Sequence, residues 1–173
     1  AGKGTRMNSE LPKVLHKVLG KSLLSHALDT LSFSDNTLVV VGHEADLVID
    51  SLPPLIKNIL QKDQLGTGHA VSTVINSEVF KESKSDFTIV VPGDVPGIND
   101  GDIELLINKV KTTSSPVGFL TALVEDPFGY GRVVKINDEI KIVEEKDCSE
   151  DEKAINEINS GIYCFKTEFL IEN

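Results

Sequence analysis

The opening segment of the chain has the composition of a phosphate-binding loop. Glycine lets the backbone approach an anion closely, while Lys3 and Arg6 supply positive charge and Lys13 follows as a third cation. Cations of this kind would offset the repulsion between phosphates that must approach each other. The alternative is a tight turn with solvated cations, and the loop alone leaves both interpretations open. The segment reads Ala1-Gly2-Lys3-Gly4-Thr5-Arg6-Met7, and Lys13 ends the triplet Leu11-Pro12-Lys13.

Asp94 is the carboxylate that could complete such a site. It follows the apolar run from Phe87 to Val91, which predicts a strand, so its carboxylate would stand beyond the strand's C-terminal end. A hard cation there could bridge protein and phosphate oxygens, and Mg²⁺ usually takes only one or two protein carboxylates beside phosphates and water. The alternative is an aspartate that caps the next turn, a common role after glycine.

A second glycine loop carries amide side chains. Gln61 and Gln64 precede Gly66 and Thr67, and a segment with a helical apolar face follows. Amide groups and exposed backbone suit the edge of uracil, which offers both hydrogen-bond donors and acceptors. The alternative is a plain helix N-terminus with Thr67 as its cap, and both interpretations can hold together.

Helix and strand patterns alternate along the chain. Apolar residues at helical spacing predict helices around 23–31, 44–52, 70–79 and 103–110, the last with Asp102 as a candidate N-cap. Apolar runs predict strands at 38–41, 87–91 and 119–124 and a hairpin of 132–136 with 140–144, while 56–60 fits a strand or a helical turn and 158–165 is a further apolar segment. This alternation predicts an α/β sandwich with a mostly parallel sheet, whose ligands bind beyond the carboxyl ends of strands.

Composition limits the classes of function. The 173 residues are 40% hydrophobic and 25% charged, which fits one globular domain. The formal net charge of −10 disfavours a broad surface for nucleic acid or an anionic membrane. With no long apolar run and no signal-peptide pattern, a cytoplasmic location is expected. Cys148 and Cys164 lack metal-ligand spacing, so neither a zinc site nor a disulfide framework is expected.

The motifs resemble the signature of the sugar-1-phosphate nucleotidylyltransferases, and more narrowly the uridylyltransferase domain of the bacterial bifunctional N-acetylglucosamine-1-phosphate uridylyltransferase/glucosamine-1-phosphate acetyltransferase family. The resemblance implies a Rossmann-like three-layer α/β sandwich with a mostly parallel mixed sheet, of the nucleotide-diphospho-sugar transferase type. It rests on the opening loop with Leu11-Pro12-Lys13-Val14-Leu15-His16, on Gln64-Leu65-Gly66-Thr67-Gly68-His69-Ala70, on Gly93-Asp94-Val95-Pro96, on Asp126-Pro127-Phe128-Gly129-Tyr130-Gly131-Arg132, and on Glu144 through Asn159-Ser160-Gly161.

The resemblance also implies an activity. UTP and N-acetylglucosamine 1-phosphate would give UDP-N-acetylglucosamine, a cell-envelope precursor, and pyrophosphate, with Mg²⁺ on Asp94. Arg6 would favour the leaving group, and Lys13 the phosphates nearer the reaction. The implied nucleotide-binding residues are Ala1, Gly2, Lys3, Gly4, Thr5, Lys13, Gln61, Gln64, Gly66 and Thr67, and the implied sugar-binding residues are Gly93, Gly131, Glu144 and Asn159.

Some residues have simpler interpretations without the resemblance. Glu144 would then be a solvated charge at a strand end, and Asn159 a turn residue. His16 and His69 are interpreted as structural, because an already ionised sugar phosphate needs no base. Pro92 removes a backbone donor beside Gly93-Asp94, where relatives carry tyrosine or a similar residue, so fine positioning of the ribose or sugar is in question.

Two other functions remain open at the level of sequence. One keeps the fold and changes the sugar phosphate or the nucleotide, and the other is a module that binds a sugar nucleotide without turnover. Residues 1–173 are expected to be part of a nucleotidyltransferase domain whose first strand and C-terminal part are absent. The bifunctional family that the chain resembles has a C-terminal acetyltransferase domain, and the sequence leaves open whether such a domain follows here and whether a homotrimer forms through it.

Overall fold

The structure is a computed structural model that describes residues 9, 11–34, 36–83, 85–137 and 139–173. Helices and strands alternate, as the sequence predicts. The helices are α1 (Leu23–Thr30), α2 (Ala45–Asp50), α3 (Thr67–Ile75), α4 (Glu78–Lys81), α5 (Asp100–Thr112), α6 (Glu150–Lys153) and α7 (Thr167–Glu172). The strands are β1 (Lys17–Val18), β2 (Lys21–Ser22), β3 (Leu38–Val41), β4 (Lys57–Leu60), β5 (Phe87–Val90), β6 (Val117–Leu123), β7 (Arg132–Ile136), β8 (Glu139–Val143) and β9 (Glu157–Lys166), and 3₁₀ turns span Lys13–Leu15 and Glu145–Asp147.

Strand β9 pairs with three other strands of the largest described sheet. It pairs antiparallel with β6 along one edge, while β5 and β7 pair antiparallel with its two ends along the other. Strand β8 extends this sheet as an antiparallel hairpin with β7. Strands β3 and β4 pair in parallel, so the segment for which the sequence allows a strand or a helical turn is a strand.

The expected α/β fold with a mixed sheet is confirmed, but the described strand pairs are mostly antiparallel. Strands β5 and β6 run in the same direction, because each is antiparallel to β9. They are not direct neighbours, since β9 lies between them. The sequence indicates an apolar segment at 158–165, and the structure shows that it is this strand and where in the sheet the strand is inserted.

The chain divides into two compact units. The first comprises the described residues up to Asp86 together with Pro92–Glu104 and Ile171–Asn173, and the second comprises Phe87–Val91 and Leu105–Leu170. In the first unit, Leu24, Val41 and Val48 form a buried cluster. Residues packed against that cluster include Val14, Leu15, Leu28, Val39, Ala45, Ile49 and Leu52.

The N-terminus of α5 corrects one expectation. Helix α5 begins at Asp100, so Asp102 lies inside it and is not the N-cap. The Asn99 side chain accepts a hydrogen bond from the Asp102 backbone N–H at 3.0 Å, which is the contact that a capping side chain makes. None of the helices in the described part of the chain is long and apolar enough to span a membrane.

Close packing of α5 against β6 makes Gly118 sensitive to substitution. An added Cβ at Gly118 would lie 2.7 Å from Val110 Cγ2 and 3.1 Å from Leu106 Cδ1. Val110 is buried and stiff at χ1, so the side chain cannot rotate away easily. We therefore expect Gly118→Ala to lower the free energy of unfolding by about 1–3 kcal/mol in chemical denaturation. Gly97→Ala is the control, since its Cβ would enter open space; equal effects of the two substitutions would contradict this account of the packing.

Candidate functional site

Two of the predicted catalytic side chains contact each other in the first unit. Lys13 Nζ lies 2.7 Å from Asp94 Oδ2, and the two side chains are 42% and 31% exposed. The sequence suggests a phosphate contact for Lys13 and a metal contact for Asp94, and these residues come from segments far apart in the chain. The alternative in which Asp94 caps the following turn has no supporting hydrogen bond among the described residues. A cation and a carboxylate side by side at the surface can serve a polyphosphate and its metal ion together.

Local packing explains why this pair forms. Pro12 precedes the 3₁₀ turn that carries Lys13, and the Leu15 N–H donates to the Pro12 carbonyl at 2.9 Å. Val14 packs against the buried cluster of the first unit. Gly93 faces the same side chain, because a Cβ built there would lie 3.5 Å from Val14 Cγ1 and 3.4 Å from Leu24 Cδ1. The chain neighbours of Lys13 and Asp94 thus meet on one hydrophobic surface.

The second glycine loop, also in the first unit, has a buried amide at its base. Gln61 is 2% exposed, and its Nε2 donates to the Gly66 carbonyl at 3.2 Å and lies 2.9 Å from His69 Nδ1. Gly66 has φ of +101°, a conformation that favours glycine, and it is the N-cap of α3. The predicted helix N-terminus is therefore confirmed, but Thr67 is the first helical residue and not the cap. Gln64 is exposed in the loop between Gln61 and Gly66.

Three of the predicted sugar-binding residues lie together in the second unit. The Asn159 N–H donates to the Gly131 carbonyl at 2.8 Å, where β9 meets the start of β7. A Cβ built on Gly131 would lie 3.5 Å from Glu144 Oε1, so that carboxylate stands directly beside the glycine. The sequence places these residues far apart, and the sheet joins them. Gly93, the fourth predicted sugar-binding residue, belongs to the first unit.

Tyr163 contacts a predicted sugar-binding residue, and the sequence analysis does not single it out. Its hydroxyl accepts a hydrogen bond from Asn159 Nδ2 at 2.7 Å, and Asn159 Oδ1 accepts from the Gly161 N–H at 3.0 Å. Burial raises the pKa of the Tyr163 phenol, the hydrogen bond from Asn159 opposes that shift, and the Glu144 charge adds to it. The phenol therefore stays neutral at physiological pH, and it holds the amide of Asn159 in a fixed orientation.

An ion pair between a buried arginine and a partly exposed glutamate anchors the loop that ends at Gly131. Arg132 is 1% exposed, and its Nη2 donates to Glu145 Oε2 at 2.7 Å while Nη1 donates to the Tyr130 carbonyl. The Gly129 N–H also donates to Glu145 Oε2, at 3.0 Å. These contacts join Arg132, which directly follows Gly131, to Glu145, which directly follows Glu144.

Several predictions fall outside the described residues. Ala1, Gly2, Lys3, Gly4, Thr5 and Arg6 are in this class, so the opening loop and its catalytic arginine stay predictions. Among the described residues, no group of three or more His, Cys, Asp or Glu side chains could hold a metal ion. Burial raises the pKa of Cys164 to about 11 and also raises that of Cys148, so both thiols are poor nucleophiles at neutral pH.

Residues 1–135 match the family described as the MobA-like NTP transferase domain. The chain belongs to this family. The matched part of the MobA-like NTP transferase domain contains both glycine loops, the Lys13–Asp94 pair and Gly131. Glu144 and Asn159 lie beyond the matched residues, and their place beside Gly131 comes from the structure.

Individual relatives agree with the family assignment. The bifunctional protein GlmU of Clostridium beijerinckii is 46% identical over 176 residues, which cover 99% of this chain and 38% of that protein. The bifunctional protein GlmU of Fervidobacterium nodosum is 42% identical over 100% of this chain and 37% of its own length. The chain thus spans less than two-fifths of these curated relatives. They confirm the resemblance to the bifunctional family that the motifs indicate.

A solved structure confirms the fold. The putative glucose-1-phosphate thymidylyltransferase of Bacillus anthracis aligns with a TM-score of 0.75 over 98% of this chain and 70% of that chain, at 20% sequence identity. The nucleotide-diphospho-sugar transferase fold expected from the motifs is therefore present in a chain whose sequence has diverged widely from that neighbour.

The Arg132–Glu145 ion pair gives a prediction about how the stability of the fold depends on pH. The hydrogen bond from Arg132, and then that from Gly129, lower the pKa of the Glu145 carboxyl from its ordinary value of 4.5. A carboxyl whose pKa is lower in the folded state contributes stability that is complete well above pH 4.5 and is lost as the pH falls through the folded-state pKa. We expect Glu145→Gln to remove part of the acid-induced loss of stability, measured by denaturant unfolding from pH 7 downward. The control is Glu150→Gln, which alters a surface pair with Lys153; a pH dependence that Glu145→Gln leaves unchanged would contradict the assignment.

Proposed function

We propose that the protein transfers a uridylyl group from UTP to N-acetylglucosamine 1-phosphate, giving UDP-N-acetylglucosamine and pyrophosphate. The observation that carries this proposal is the Lys13–Asp94 contact at 2.7 Å in a chain that is 46% identical to a bifunctional protein GlmU. Two segments that the motifs single out supply opposite charges to one place. An attack of one phosphate on another needs cations that offset the repulsion between anions: Lys13 is one, and Asp94 can hold a second as a metal ion.

The reaction needs neither a covalent enzyme intermediate nor a general base. An oxygen of the ionised sugar phosphate attacks the α-phosphorus of UTP in line and forms the new P–O bond. The bond from the α-phosphorus to the oxygen that bridges to the β-phosphate breaks, and pyrophosphate leaves with the electron pair. Lys13 stabilises the charge on the phosphates nearest the reaction, and Arg6 is proposed to attract the leaving pyrophosphate.

The donor set fits a Mg²⁺ ion. Asp94 offers one hard carboxylate that is about one-third exposed, and Mg²⁺ accepts one or two protein carboxylates together with phosphate oxygens and water. Bound there, Mg²⁺ would withdraw charge from the phosphate oxygens. Because half-exposed ion pairs contribute only about 0–1 kcal/mol, the Lys13–Asp94 contact can be exchanged at small cost for contacts with phosphate and metal.

The second unit supplies the proposed sugar contacts. Glu144 can accept hydrogen bonds from sugar hydroxyl groups, and Asn159 can both donate and accept. The hydrogen bonds of the Asn159 side chain with the Tyr163 hydroxyl and the Gly161 N–H keep its amide in place before a ligand arrives. The chain would then be part of a nucleotidyltransferase domain, and a trimer formed through a C-terminal domain remains a separate proposal.

A coupled pyrophosphate-release assay on the full-length protein tests the proposal. We expect Mg²⁺-dependent release with UTP and N-acetylglucosamine 1-phosphate, and slower release when CTP or GTP replaces UTP or when glucose 1-phosphate replaces the acetylated sugar. Absence of Mg²⁺-dependent turnover with the proposed pair would refute the activity. Tight binding of the UDP-sugar without any turnover would instead support a binding module.

Variants of the ion pair test the catalytic roles. We expect Lys13→Ala and Asp94→Asn each to lower kcat by about 10²–10³-fold, since each removes charge stabilisation that strengthens in the transition state. Lys21 and Asp29 provide a matched control, because they form a surface ion pair of the same 2.7 Å length in the same unit. Lys21→Ala and Asp29→Asn should leave kcat close to the parent value. Equal losses in both pairs would mean that the effect is structural and not catalytic.

Gly131→Ala tests the sugar contacts. The new Cβ would lie 3.2 Å from Ile142 Cγ2, which must shift by a few tenths of an ångström, and 3.5 Å from Glu144 Oε1, so the added methyl would occupy the space directly beside that carboxylate. We expect the KM for N-acetylglucosamine 1-phosphate to rise on the order of tenfold, which is about 1.4 kcal/mol, with little change in the KM for UTP. A variant that raises both KM values equally would contradict a role confined to the sugar.

A further inference from the structure

The orientation of the Gln61 amide is determined by its neighbours. The Gly66 carbonyl oxygen can only accept hydrogen bonds, so the end of the amide that lies 3.2 Å from it must be the NH₂ group. The same nitrogen lies 2.9 Å from His69 Nδ1. Nδ1 must therefore be the unprotonated, accepting nitrogen of the imidazole, with the ring proton on Nε2.

Hydrogen bonds fix the backbone at Gln61 and at its two partners, Gly66 and His69. The Gln61 N–H donates to the Val41 carbonyl at 2.8 Å, which extends the pairing of β3 with β4. His69 lies in the first turn of α3, and its carbonyl accepts from Thr73 Oγ1 at 2.8 Å. The Gly66 carbonyl also accepts from the Ala70 N–H, at 3.1 Å. The contact between Gln61 and His69 therefore joins two regular elements.

The two hydrogen bonds use both N–H groups of the Gln61 amide. Toward a ligand, the side chain can then act only as an acceptor, through its oxygen. Uracil presents a donor at N3–H, whereas cytosine has an unprotonated acceptor at N3. An amide held in this orientation accepts from the first base and repels the second, and a buried acceptor facing another acceptor is costly.

We propose that His69 is a positioning residue that selects uracil over cytosine by holding the Gln61 amide with its oxygen toward the base. This inference rests on the proposed function only in taking the nucleotide to bind at the loop from Gln61 to Thr67. The sequence analysis gives His69 a structural role, and a purely structural role makes a different prediction. Loosening the start of α3 would weaken the binding of UTP and of CTP to a similar degree. Freeing the Gln61 amide would instead change the ratio of the two affinities.

The test compares variants of His69 in the full-length protein. His69→Leu and His69→Phe both remove the acceptor, and the second keeps the ring shape in case the first folds poorly. His69→Asn keeps an acceptor, because its Oδ1 can take the place of Nδ1. His26→Leu is the matched control, since it removes a histidine bonded to the Val18 carbonyl at 2.8 Å on α1.

The measured quantities are kcat/KM for UTP and for CTP and the Kd of each nucleotide by calorimetry. We expect the preference for UTP over CTP to fall about threefold to tenfold in the Leu and Phe variants, as the loss of one hydrogen bond implies. The Asn variant and the His26→Leu control should keep the parent preference. A preference that is unchanged in both acceptor-free variants overturns the inference.

Binding and turnover separate the inference from the proposed function. A parent protein that binds UTP in preference to CTP but releases no pyrophosphate would refute the transfer reaction and still support the role of His69 if the acceptor-free variants lose that preference. A parent protein that turns over UTP while His69→Asn loses the preference as fully as His69→Leu would refute the role of His69 alone. A parent protein that binds neither nucleotide would overturn both.

Discussion

The contact between Lys13 and Asp94 is the constraint on which the proposed chemistry depends. Each residue lies in a short motif, and each alone has an ordinary interpretation as a solvated charge or a cap. Their side chains meet at 2.7 Å because Val14 and Gly93 meet on the same apolar surface with Leu24. Hydrophobic packing therefore fixes a polar arrangement that has little stability of its own, since exposed ion pairs are weak. Weak pairing also suits a site whose charges must rearrange around a polyphosphate.

In the proposed reaction, each of the two units supplies contacts to a different substrate. In the first, the ion pair and the buried Gln61 amide present charge and a single acceptor, which suits a nucleoside triphosphate. In the second, Gly131, Glu144 and Asn159 present hydrogen-bonding groups that suit a sugar. One residue of each set has a side chain held by a neighbour that has no ligand contact in the proposed reaction. His69 holds the Gln61 amide, and Tyr163 holds the Asn159 amide. Supporting contacts of this kind reduce the ordering that substrate binding would otherwise require.

Sequence alone predicted most elements, because helical and strand periodicities in this chain are regular, and the motifs identified Lys13, Asp94 and the residues around Gly131. It could not predict which strands are neighbours, so the insertion of β9 was missed. It also missed Tyr163, because β9 carries extra residues near Gly161, whose φ is +80°, and simple strand alternation fails there. The sequence also cannot predict the orientation of the Gln61 side-chain amide, because the residue type does not indicate which end of the amide faces a carbonyl.

A crystal structure of the full-length protein with Mg²⁺ and a non-hydrolysable UTP analogue tests the central claim most directly. The account predicts that the direct Lys13–Asp94 contact is replaced, with Lys13 Nζ within hydrogen-bond distance of a phosphate oxygen and Asp94 bound to the metal. A structure in which the 2.7 Å contact persists while the phosphates lie elsewhere would contradict it.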